Sequence, residues 1–490
     1  LMAQGITIVG LGPGDPELLT IAANRVLTEA DEVYVRTERH PTLNDPATAA
    51  SLQGRLHAFD ALYDAHQTFE AVYAAIVEQV LDLGQRAQGV VYAVPGDPLV
   101  GEATVQALLT QGPSRGLPVR IVHGVSCIEP TLAALRIDSF DGLQICDATL
   151  LARRLHPPLD PDVPALIVQV YNQPLASDCK LTLMNLYPDE HPARLVLHAG
   201  LPDEQVRDIA LYELDRQPDL DHLTSLLVPA LPTPGSLSSY QEVMARLRAP
   251  DGCPWDREQT HESLRTYLLE ETYEVLAAID GGDLGEVCEE LGDLLLQILF
   301  HAQIATEHGD FRLIDSMQYA IAKLVRRHPH VFGEAQASSP DEVLQSWEQI
   351  KREERVANGQ ERRSMLDGIN QALPALAQAL KIQERVARVG FDWSDASQVR
   401  AKLDEELDEY AQAPDDAARS RELGDVLFAL VNLARWQAIN PEDALRETNA
   451  RFARRFAAIE GHAAAQGRGL ETMTLAEMDA IWEQAKTDEQ

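Results

Sequence analysis

The hydrophobic pattern of this 490-residue chain changes near residue 235, and this change restricts the fold more than any other feature. Before it, apolar runs alternate with helical stretches and Gly/Pro turns, for example at residues 6–10, 90–94, 119–123, 165–170 and 194–199. Strands that alternate with helices predict an α/β architecture. After it, Ala, Leu, Glu and Arg recur at helical spacing and predict helices alone. We therefore expect a multidomain chain, first α/β and then all-α.

The segment LPTPGSLSS at residues 231–239 is typical of a linker. Another polar stretch, ANGQERR at residues 357–363, divides the helical part. These two segments predict an α/β domain at residues 1–230, a linker at 231–239, a first helical unit at 240–355 and a second at 365–488.

Acidic motifs occur twice in the helical part. EETYE at residues 270–274 precedes ELGD at 290–293, and EELDE at 405–409 precedes ELGD at 422–425. A basic helix follows each pair and carries Lys323, Arg326 and Arg327 in the first copy and Arg451, Arg454 and Arg455 in the second. This repeat favours two copies of one small unit over one irregular domain.

Residues three or four apart share a helical face, so each motif pair gathers carboxylates on two helices. Two like charges about 4 Å apart repel by roughly 1 kcal/mol in water and roughly 4 kcal/mol at an effective dielectric near 20. Mg²⁺ or Mn²⁺ relieves this repulsion because hard cations take oxygen ligands. A solvated surface is the usual explanation for one Glu-rich face, but it does not account for the repeated pair.

Apolar residues follow the second motif of the first copy and predict a buried helix: Leu294, Leu295, Leu296, Ile298 and Leu299. The guanidinium groups of the basic helices suit fork-like contacts with phosphate, although a solvated helix face is the alternative. A metal-binding face together with a guanidinium face is what a triphosphate requires.

Three further stretches accompany these motifs: CPWDREQTH at residues 253–261, RRHPHVF at 326–332 and KIQERVARVGFDW at 381–393. With them, residues 236–488 resemble MazG, a nucleoside triphosphate pyrophosphohydrolase of the all-α class. The resemblance implies Mg²⁺-dependent hydrolysis of nucleoside triphosphates to monophosphates and pyrophosphate. It also implies association through such helices, as a homodimer or a higher homo-oligomer.

The resemblance implies metal ligands at Glu271, Glu274, Glu290 and Asp293 in the first copy and at Glu406, Glu409, Glu422 and Asp425 in the second. Glu270 and Glu405 are then outer carboxylates with a catalytic role in positioning the attacking water. The second copy lacks the CPWD phrase and has Leu407 and Asp408 where the first has Thr272 and Tyr273. Whether both copies are active is therefore left open.

Gly/Pro-rich turns follow three predicted strands of the N-terminal part: GLGPGD at residues 10–15, PGDP at 95–98 and HGVSC at 123–127. One such turn is a weak signal, and Pro13 excludes the Rossmann spacing. Together the turns resemble the tetrapyrrole (corrin and porphyrin) methylases, two-lobed α/β enzymes that bind S-adenosylmethionine in a cleft. The resemblance covers about residues 5–228. By position it implies a cofactor site formed by Gly10, Gly12, Pro95, Gly96, Asp97 and Ser126.

Leu99 and Val100 stand where many active methylases carry an aromatic residue. Methyl transfer, and a tetrapyrrole-like acceptor for it, are therefore left open, whereas binding of the cofactor is expected. The fused order of the two domains is similar to that of the YabN-type bacterial proteins.

Charge and composition restrict the partners. The chain has 41 Lys and Arg against 77 Asp and Glu, a net charge of −36, which disfavours nucleic acid as a partner. It contains no apolar run long enough for a membrane span, and Leu1–Gln4 lack the basic run of a signal peptide. The five cysteines form no CxxC, which agrees with reduced thiols and gives no zinc site. We therefore expect a cytoplasmic protein.

The sequence thus predicts an Mg²⁺-dependent nucleoside triphosphate pyrophosphohydrolase with an S-adenosylmethionine-binding methylase-like domain. One alternative makes methyl transfer the principal activity and the helices an accessory dimerisation module. Another is non-enzymatic, with an N-terminal ligand sensor and helices that serve for dimerisation. The preferred base, the active helical unit, the methyl acceptor and any coupling between the domains are not determined by the sequence.

Overall fold

A computed structural model describes residues 4–357 and 364–488 of the chain. Most of the polar connector predicted at residues 357–363 lies outside this range. The chain divides into two compact units, Leu1–Gln318 and Tyr319–Gln490. The domain boundaries expected from the sequence remain predictions.

Strands are confined to the N-terminal half of the described chain. They are β1 (Ile6–Gly10), β2 (Val33–Val35), β3 (Leu56–Ala58), β4 (Val90–Val94), β5 (Val119–Val122), β6 (Gln144–Asp147), β7 (Ala165–Val168), β8 (Pro192–Leu197), β9 (Gln205–Ala210) and β10 (Thr224–Val228). They form one sheet in the order β3-β2-β4-β1-β5 and another in the order β6-β7-β10-β8-β9. The first sheet is parallel, whereas the second is mixed, with β6 and β7 parallel and the remaining pairs antiparallel.

Helices flank the strands and then occupy the rest of the chain. Those of the α/β part are α1 (Ile21–Glu29), α2 (Pro41–Asn44), α3 (Pro46–Leu52), α4 (Asp60–Ala65), α5 (Phe69–Gly84), α6 (Ala103–Ser114), α7 (Ile128–Leu135), α8 (Ala148–Leu151) and α9 (Gln173–Leu183). Those that follow are α10 (Leu237–Arg248), α11 (Pro254–Glu258), α12 (Arg265–Gly281), α13 (Leu284–His308), α14 (Leu313–Arg327), α15 (Pro329–Phe332), α16 (Pro340–Ala357), α17 (Ala375–Ala387), α18 (Ala396–Gln412), α19 (Asp416–Trp436), α20 (Pro441–Ala465) and α21 (Leu475–Asp488). The fold class predicted from the sequence, α/β followed by all-α, is confirmed.

The first sheet is buried on both faces. Ile6 and Ile8 of β1 pack with residues of α5 and α6, whereas Val9 packs with residues of α1 on the opposite side. A strand covered on both faces is almost continuously apolar, and this is why β1 and β4 were visible in the sequence. The second sheet has its own core, in which Ile167, Leu195 and Leu226 pack against α9.

Local signals in the sequence set the α12–α13 hairpin. Gly282 ends α12 with φ at +77°, a left-handed conformation that glycine adopts without steric cost. Asp283 then caps α13, because its side chain accepts a hydrogen bond from the backbone N–H of Gly285 at 2.7 Å. Glu274 and Glu290 each lie about two helical turns from Gly282, so the hairpin brings them side by side.

The expectation that the apolar helix after Asp293 is buried is wrong for part of α13. Leu299 is buried, but Leu295 and Ile298 are exposed by 36% and 46%, and Leu291 by 51%. The reason is geometric: α13 packs on α10 and α12 along one side, and these three residues form a stripe on another. None of the helices in the described ranges 4–357 and 364–488 has the length and apolar character needed to cross a membrane.

Candidate metal centres and cofactor cleft

Three of the predicted ligands meet at the α12–α13 hairpin. Ligand oxygens of Glu271, Glu274 and Glu290 all lie within 4.8 Å of one another. Two oxygens bound to one Mg²⁺ are about 3–4 Å apart, given metal–oxygen distances of about 2.1 Å, so a small side-chain adjustment is enough to bring these oxygens onto one ion. The donor set is all carboxylate, which fits a hard divalent cation.

The electrostatics of this cluster favour a bound cation. Partial burial, followed by the carboxylates of Asp293 and Glu274, raises the pKa of Glu271. Partial burial and the same two neighbours also raise the pKa of Glu290. A raised carboxyl pKa means that the ionised form is unfavourable where it stands, and a cation removes that cost.

The remaining first-copy carboxylates lie at the edge of the cluster. Asp293 is exposed and close enough to affect Glu271, but it is not among the three residues whose oxygens converge. Glu270 is exposed. The buried Gln297 donates to Glu271 Oε1 at 3.5 Å, and the hydroxyl of Tyr240 donates to the carbonyl of Gly292 at 3.2 Å. Sequence reasoning missed both, because neither belongs to an acidic motif.

The α18–α19 hairpin repeats the arrangement. Glu406, Glu409 and Glu422 bring their ligand oxygens within 4.8 Å of one another, and exposed Asp425 again lies outside the converging set. Here a lysine is present as well. Lys402 Nζ lies 2.8 Å from Glu406 Oε1 and 3.0 Å from Glu405 Oε1. Hydrogen bonds to these two glutamates raise the pKa of Lys402.

The predicted phosphate contacts have partners within the chain. Arg326 and Arg327 both bind Glu354 of α16, and their hydrogen bonds hold the pKa of this carboxyl at about 2. Lys323 lies over the ring of Tyr319, with 5.5 Å from Nζ to the centroid.

In the second copy, Arg451 donates to Thr448 Oγ1 at 3.0 Å. Arg455 lies over the ring of Trp482 at 5.6 Å, and Arg454 also has a partner. The role of all six basic residues in phosphate binding remains a prediction.

In the α/β domain, two of the three glycine turns are bonded together where their strands end. The backbones of Gly12 and Gly96 exchange two hydrogen bonds, of 3.2 and 2.8 Å. A Cβ added to Gly10 would lie 2.5 Å from the carbonyl oxygen of Gly96 and 2.6 Å from the nitrogen of Gly124. Only glycine permits this close approach, so the turns of β1, β4 and β5 form one backbone-lined edge. Such an edge at the carboxyl ends of parallel strands suits a bound ligand.

Polar side chains complete this edge, next to the half-buried Pro95. Asp97 accepts a hydrogen bond from the Leu99 N–H at 2.8 Å, and its other oxygen lies 2.9 Å from Nδ1 of His123. Ser126 is buried and donates to Glu129 Oε2 at 2.5 Å. All six predicted cofactor residues thus belong to the three turns, and their binding role remains a prediction.

Two polar features at this edge were missed by sequence reasoning. Buried Glu102 forms an ion pair with Arg36 at 3.0 Å, just after the second turn. His40 is only 5% exposed. Burial lowers its pKa to about 4, although a hydrogen bond to the backbone of Gly12 acts in the opposite direction. No motif marked these residues, because Arg36 and His40 follow the short strand β2 and meet the glycine turns only in the fold.

The parallel sheet with its glycine-lined edge defines a methylase-type α/β domain, and the acidic hairpins define an all-α nucleotide pyrophosphohydrolase-type region. Residues 5–215 match the family model of the Tetrapyrrole (Corrin/Porphyrin) Methylases, and residues 259–332 match that of the MazG nucleotide pyrophosphohydrolase domain. The YabN protein of Bacillus subtilis (strain 168) is 41% identical over 496 residues, which cover 100% of this chain and 99% of the relative.

Two further relatives match only half of the chain. The nucleoside triphosphate pyrophosphohydrolase/pyrophosphatase MazG of Thermotoga maritima is 45% identical over 244 residues, 50% of this chain and 93% of the relative. The nucleoside triphosphate pyrophosphohydrolase of Escherichia coli (strain K12) is 47% identical over 253 residues, 50% of this chain and 95% of the relative. The chain therefore belongs to the YabN family, with a tetrapyrrole methylase domain followed by a MazG domain.

Proposed function

We propose that the protein is a nucleoside triphosphate pyrophosphohydrolase that uses Mg²⁺ or Mn²⁺ to release pyrophosphate and a nucleoside monophosphate. The observation that carries the proposal is the convergence of three carboxylates at matching places on two helical hairpins. The relatives from Thermotoga maritima and Escherichia coli are both named as nucleoside triphosphate pyrophosphohydrolases, and these names support the proposal.

Each group of residues would have a separate role in the reaction. Glu271, Glu274 and Glu290 would hold the cation in the first hairpin, with Asp293 beside them, and Glu406, Glu409, Glu422 and Asp425 are their counterparts in the second. The cation, when bound, neutralises phosphate charge and lowers the pKa of a bound water. Glu270 and Glu405, which lie outside the converging sets, would orient the attacking water. The basic side chains of α14 and α20 would bind phosphate oxygens.

Product analysis tests this proposal. The full chain is incubated with each common nucleoside triphosphate and Mg²⁺, and the products are separated by chromatography. Monophosphate plus pyrophosphate is expected from wild type. The double variant Glu274→Gln, Glu409→Gln should lose at least about 100-fold in rate, because a ligand is removed from each site.

The matched control is the double variant Glu258→Gln, Glu447→Gln, which changes exposed glutamates of α11 and α20 outside both clusters. It should keep the wild-type rate. Diphosphate plus phosphate, or no turnover of any nucleotide by wild type, would end the proposal. Full activity of the Glu274→Gln, Glu409→Gln variant would show that the carboxylates serve another purpose.

We also propose that the protein is a homodimer or a higher homo-oligomer through these hairpins. The support is a pair of exposed apolar stripes at matching positions, formed by Leu291, Leu295 and Ile298 on α13 and by Leu423, Leu427 and Leu430 on α19. Exposed apolar stripes of this kind mark association surfaces. Light scattering after gel filtration should give a multiple of the 54.0 kDa chain mass. Leu295→Glu with Leu427→Glu should lower it, whereas a monomeric wild type contradicts the proposal.

For the α/β domain we propose S-adenosylmethionine binding at the glycine-lined edge, with methyl transfer as the second candidate function. The close approach around Gly10 supports it, because a side chain there would push apart the turns that form the edge. Calorimetry should detect binding of S-adenosylmethionine or S-adenosylhomocysteine. Gly10→Ala or Asp97→Asn should weaken it by about tenfold or more, and Gly461→Ala, in open space on α20, should not. Absence of binding to wild type removes this candidate, whereas binding without nucleotide turnover favours methyl transfer as the principal activity.

A further inference from the structure

The start of α10 is held by the second lobe of the α/β domain, which is the part built on the sheet β6-β7-β10-β8-β9. Asp162, in the loop before β7, accepts hydrogen bonds from the backbone N–H groups of Gly235 at 2.8 Å and Ser236 at 3.0 Å. The hydroxyl of Ser239 donates to the same carboxylate. Ser236 in turn caps α10 by accepting from the Ser239 N–H at 3.0 Å. A carboxylate beside a helix N-terminus is favourable, so this contact sets where α10 begins.

The segment expected to be a linker is also bound at its other end. The N–H of Leu231 donates to the carbonyl of Pro161 at 2.8 Å, one residue from Asp162. The chain between residues 231 and 239 is thus attached to the second lobe at two points. The position of α10 therefore depends on the loop that carries Asp162.

The residue after this anchor reaches the first acidic cluster. Tyr240 packs its ring against Leu299, Ala302 and Leu313. Its hydroxyl donates to the carbonyl oxygen of Gly292 at 3.2 Å. Gly292 lies between Glu290 and Asp293 on α13, so the hydrogen bond holds the helical turn that carries both carboxylates.

We propose that Tyr240 is a positioning residue for the metal-binding carboxylates of α13, and that Asp162 positions Tyr240 from the methylase-type domain. The inference rests on the proposed metal-dependent function. It gives the attachment of the two domains a specific purpose: the second lobe supports the geometry of the hydrolytic site. Partners that orient metal ligands from outside the coordination sphere typically change metal affinity or activity by about 10–100-fold, and Tyr240 acts through backbone, so about tenfold is expected.

The test measures Mn²⁺ affinity by calorimetry on the full chain. The background variant is Glu406→Gln, Glu409→Gln, so that only the first cluster binds. In this background, Tyr240→Phe should weaken Mn²⁺ binding by about tenfold, and Asp162→Asn should weaken it less, in the same direction. The matched controls are Tyr212→Phe and Asp178→Asn, both in the second lobe and away from this chain of contacts, which should bind as the background does.

A second readout separates positioning from loss of fold. In pyrophosphate release as a function of Mg²⁺, the Tyr240→Phe midpoint should shift to higher Mg²⁺ while the plateau rate stays within about twofold. If the background binds Mn²⁺ and Tyr240→Phe binds it equally well, the inference is overturned. A lowered plateau with an unchanged midpoint overturns it too, because the hydroxyl then does not act through the ligands. If the background binds no Mn²⁺ at all, the first cluster is no metal site and the inference is overturned; the proposed function fails only if wild type also releases no pyrophosphate.

Discussion

The two acidic hairpins carry the same carboxylates but differ in what balances their charge. In α18–α19, Lys402 lies 2.8 Å from Glu406 and supplies a positive charge. The equivalent position in α12–α13, four residues before Glu271, is Tyr267, whose ring contacts Trp255 at 5.8 Å between centroids. The first cluster therefore keeps its repulsion, visible in the raised pKa values of Glu271 and Glu290. A repeated ligand motif thus does not imply a repeated electrostatic environment.

This difference leads us to expect that the two hairpins bind free metal with unequal affinity. In the first, the side chain that donates to Glu271 is the neutral amide of Gln297, which does not replace a cation's charge. In the second, the cation has to displace or share the contacts of Lys402. Four predictions examine this comparison, from the largest expected effect on the metal sites to the smallest.

The largest effect is expected from removing two ligands of one hairpin. Glu274→Gln with Glu290→Gln should weaken Mn²⁺ binding at the first cluster by about 100-fold or more, since two of three converging carboxylates lose their charge. Calorimetric stoichiometry should fall from two ions per chain to one. Glu409→Gln with Glu422→Gln should do the same at the second cluster. Unchanged stoichiometry in either variant would show that the hairpin is no metal site.

The next effect is expected in how strongly Mg²⁺ stabilises the fold at different pH values. Because the pKa values of Glu271 and Glu290 are raised in the fold, the metal-free fold loses stability as pH rises through these values. A bound cation restores it. The increase in melting temperature on adding Mg²⁺ should therefore be about 2–4 °C larger near neutral pH than near about pH 5. The variant Glu274→Gln, Glu290→Gln should lose most of this difference, and an equal increase at both pH values would contradict the explanation.

A smaller effect is expected when the lysine is removed or transferred. Ion pairs between partly exposed groups contribute about 0.2–1 kcal/mol, so Lys402→Met should strengthen nucleotide-free Mn²⁺ binding at the second cluster by up to about fivefold. Tyr267→Lys should weaken binding at the first cluster by a similar factor. Calorimetry of both variants, each with the other hairpin disabled, measures the change. If neither variant changes affinity, Lys402 does not compete with the cation.

The smallest effect on metal binding is expected at the outer carboxylates. Glu270→Gln and Glu405→Gln should leave Mn²⁺ affinity within about twofold, because neither belongs to the converging sets. If these two glutamates orient water, the kcat of the variant at the active hairpin should fall by about 100-fold. A rate loss for only one of the two would identify the hairpin that turns over nucleotide. A large loss of affinity would instead make these residues ligands.

Much of the candidate site could be predicted from sequence because its determinants are local. Helical spacing placed Glu271 with Glu274, and the Gly282-Asp283 turn made the hairpin that brings Glu290 to them. The rest depended on distant residues. The burial expected after Asp293 was wrong for Leu295 and Ile298, since an apolar stripe in sequence does not indicate whether the same chain covers it.

The sequence by itself determined the order of the two architectures, the glycine turns after β1, β4 and β5, and the residue types of both acidic clusters. Each depends on periodicity or on backbone preferences within a few residues. The same helical spacing places Lys402 beside Glu405 and Glu406, three and four residues further along α18. Only the tertiary structure decided that Tyr240 reaches Gly292 and that Asp162 holds the start of α10. Hydrogen bonds and ion pairs fall off within a few ångströms, so their partners are known only when packing has set the distance between elements.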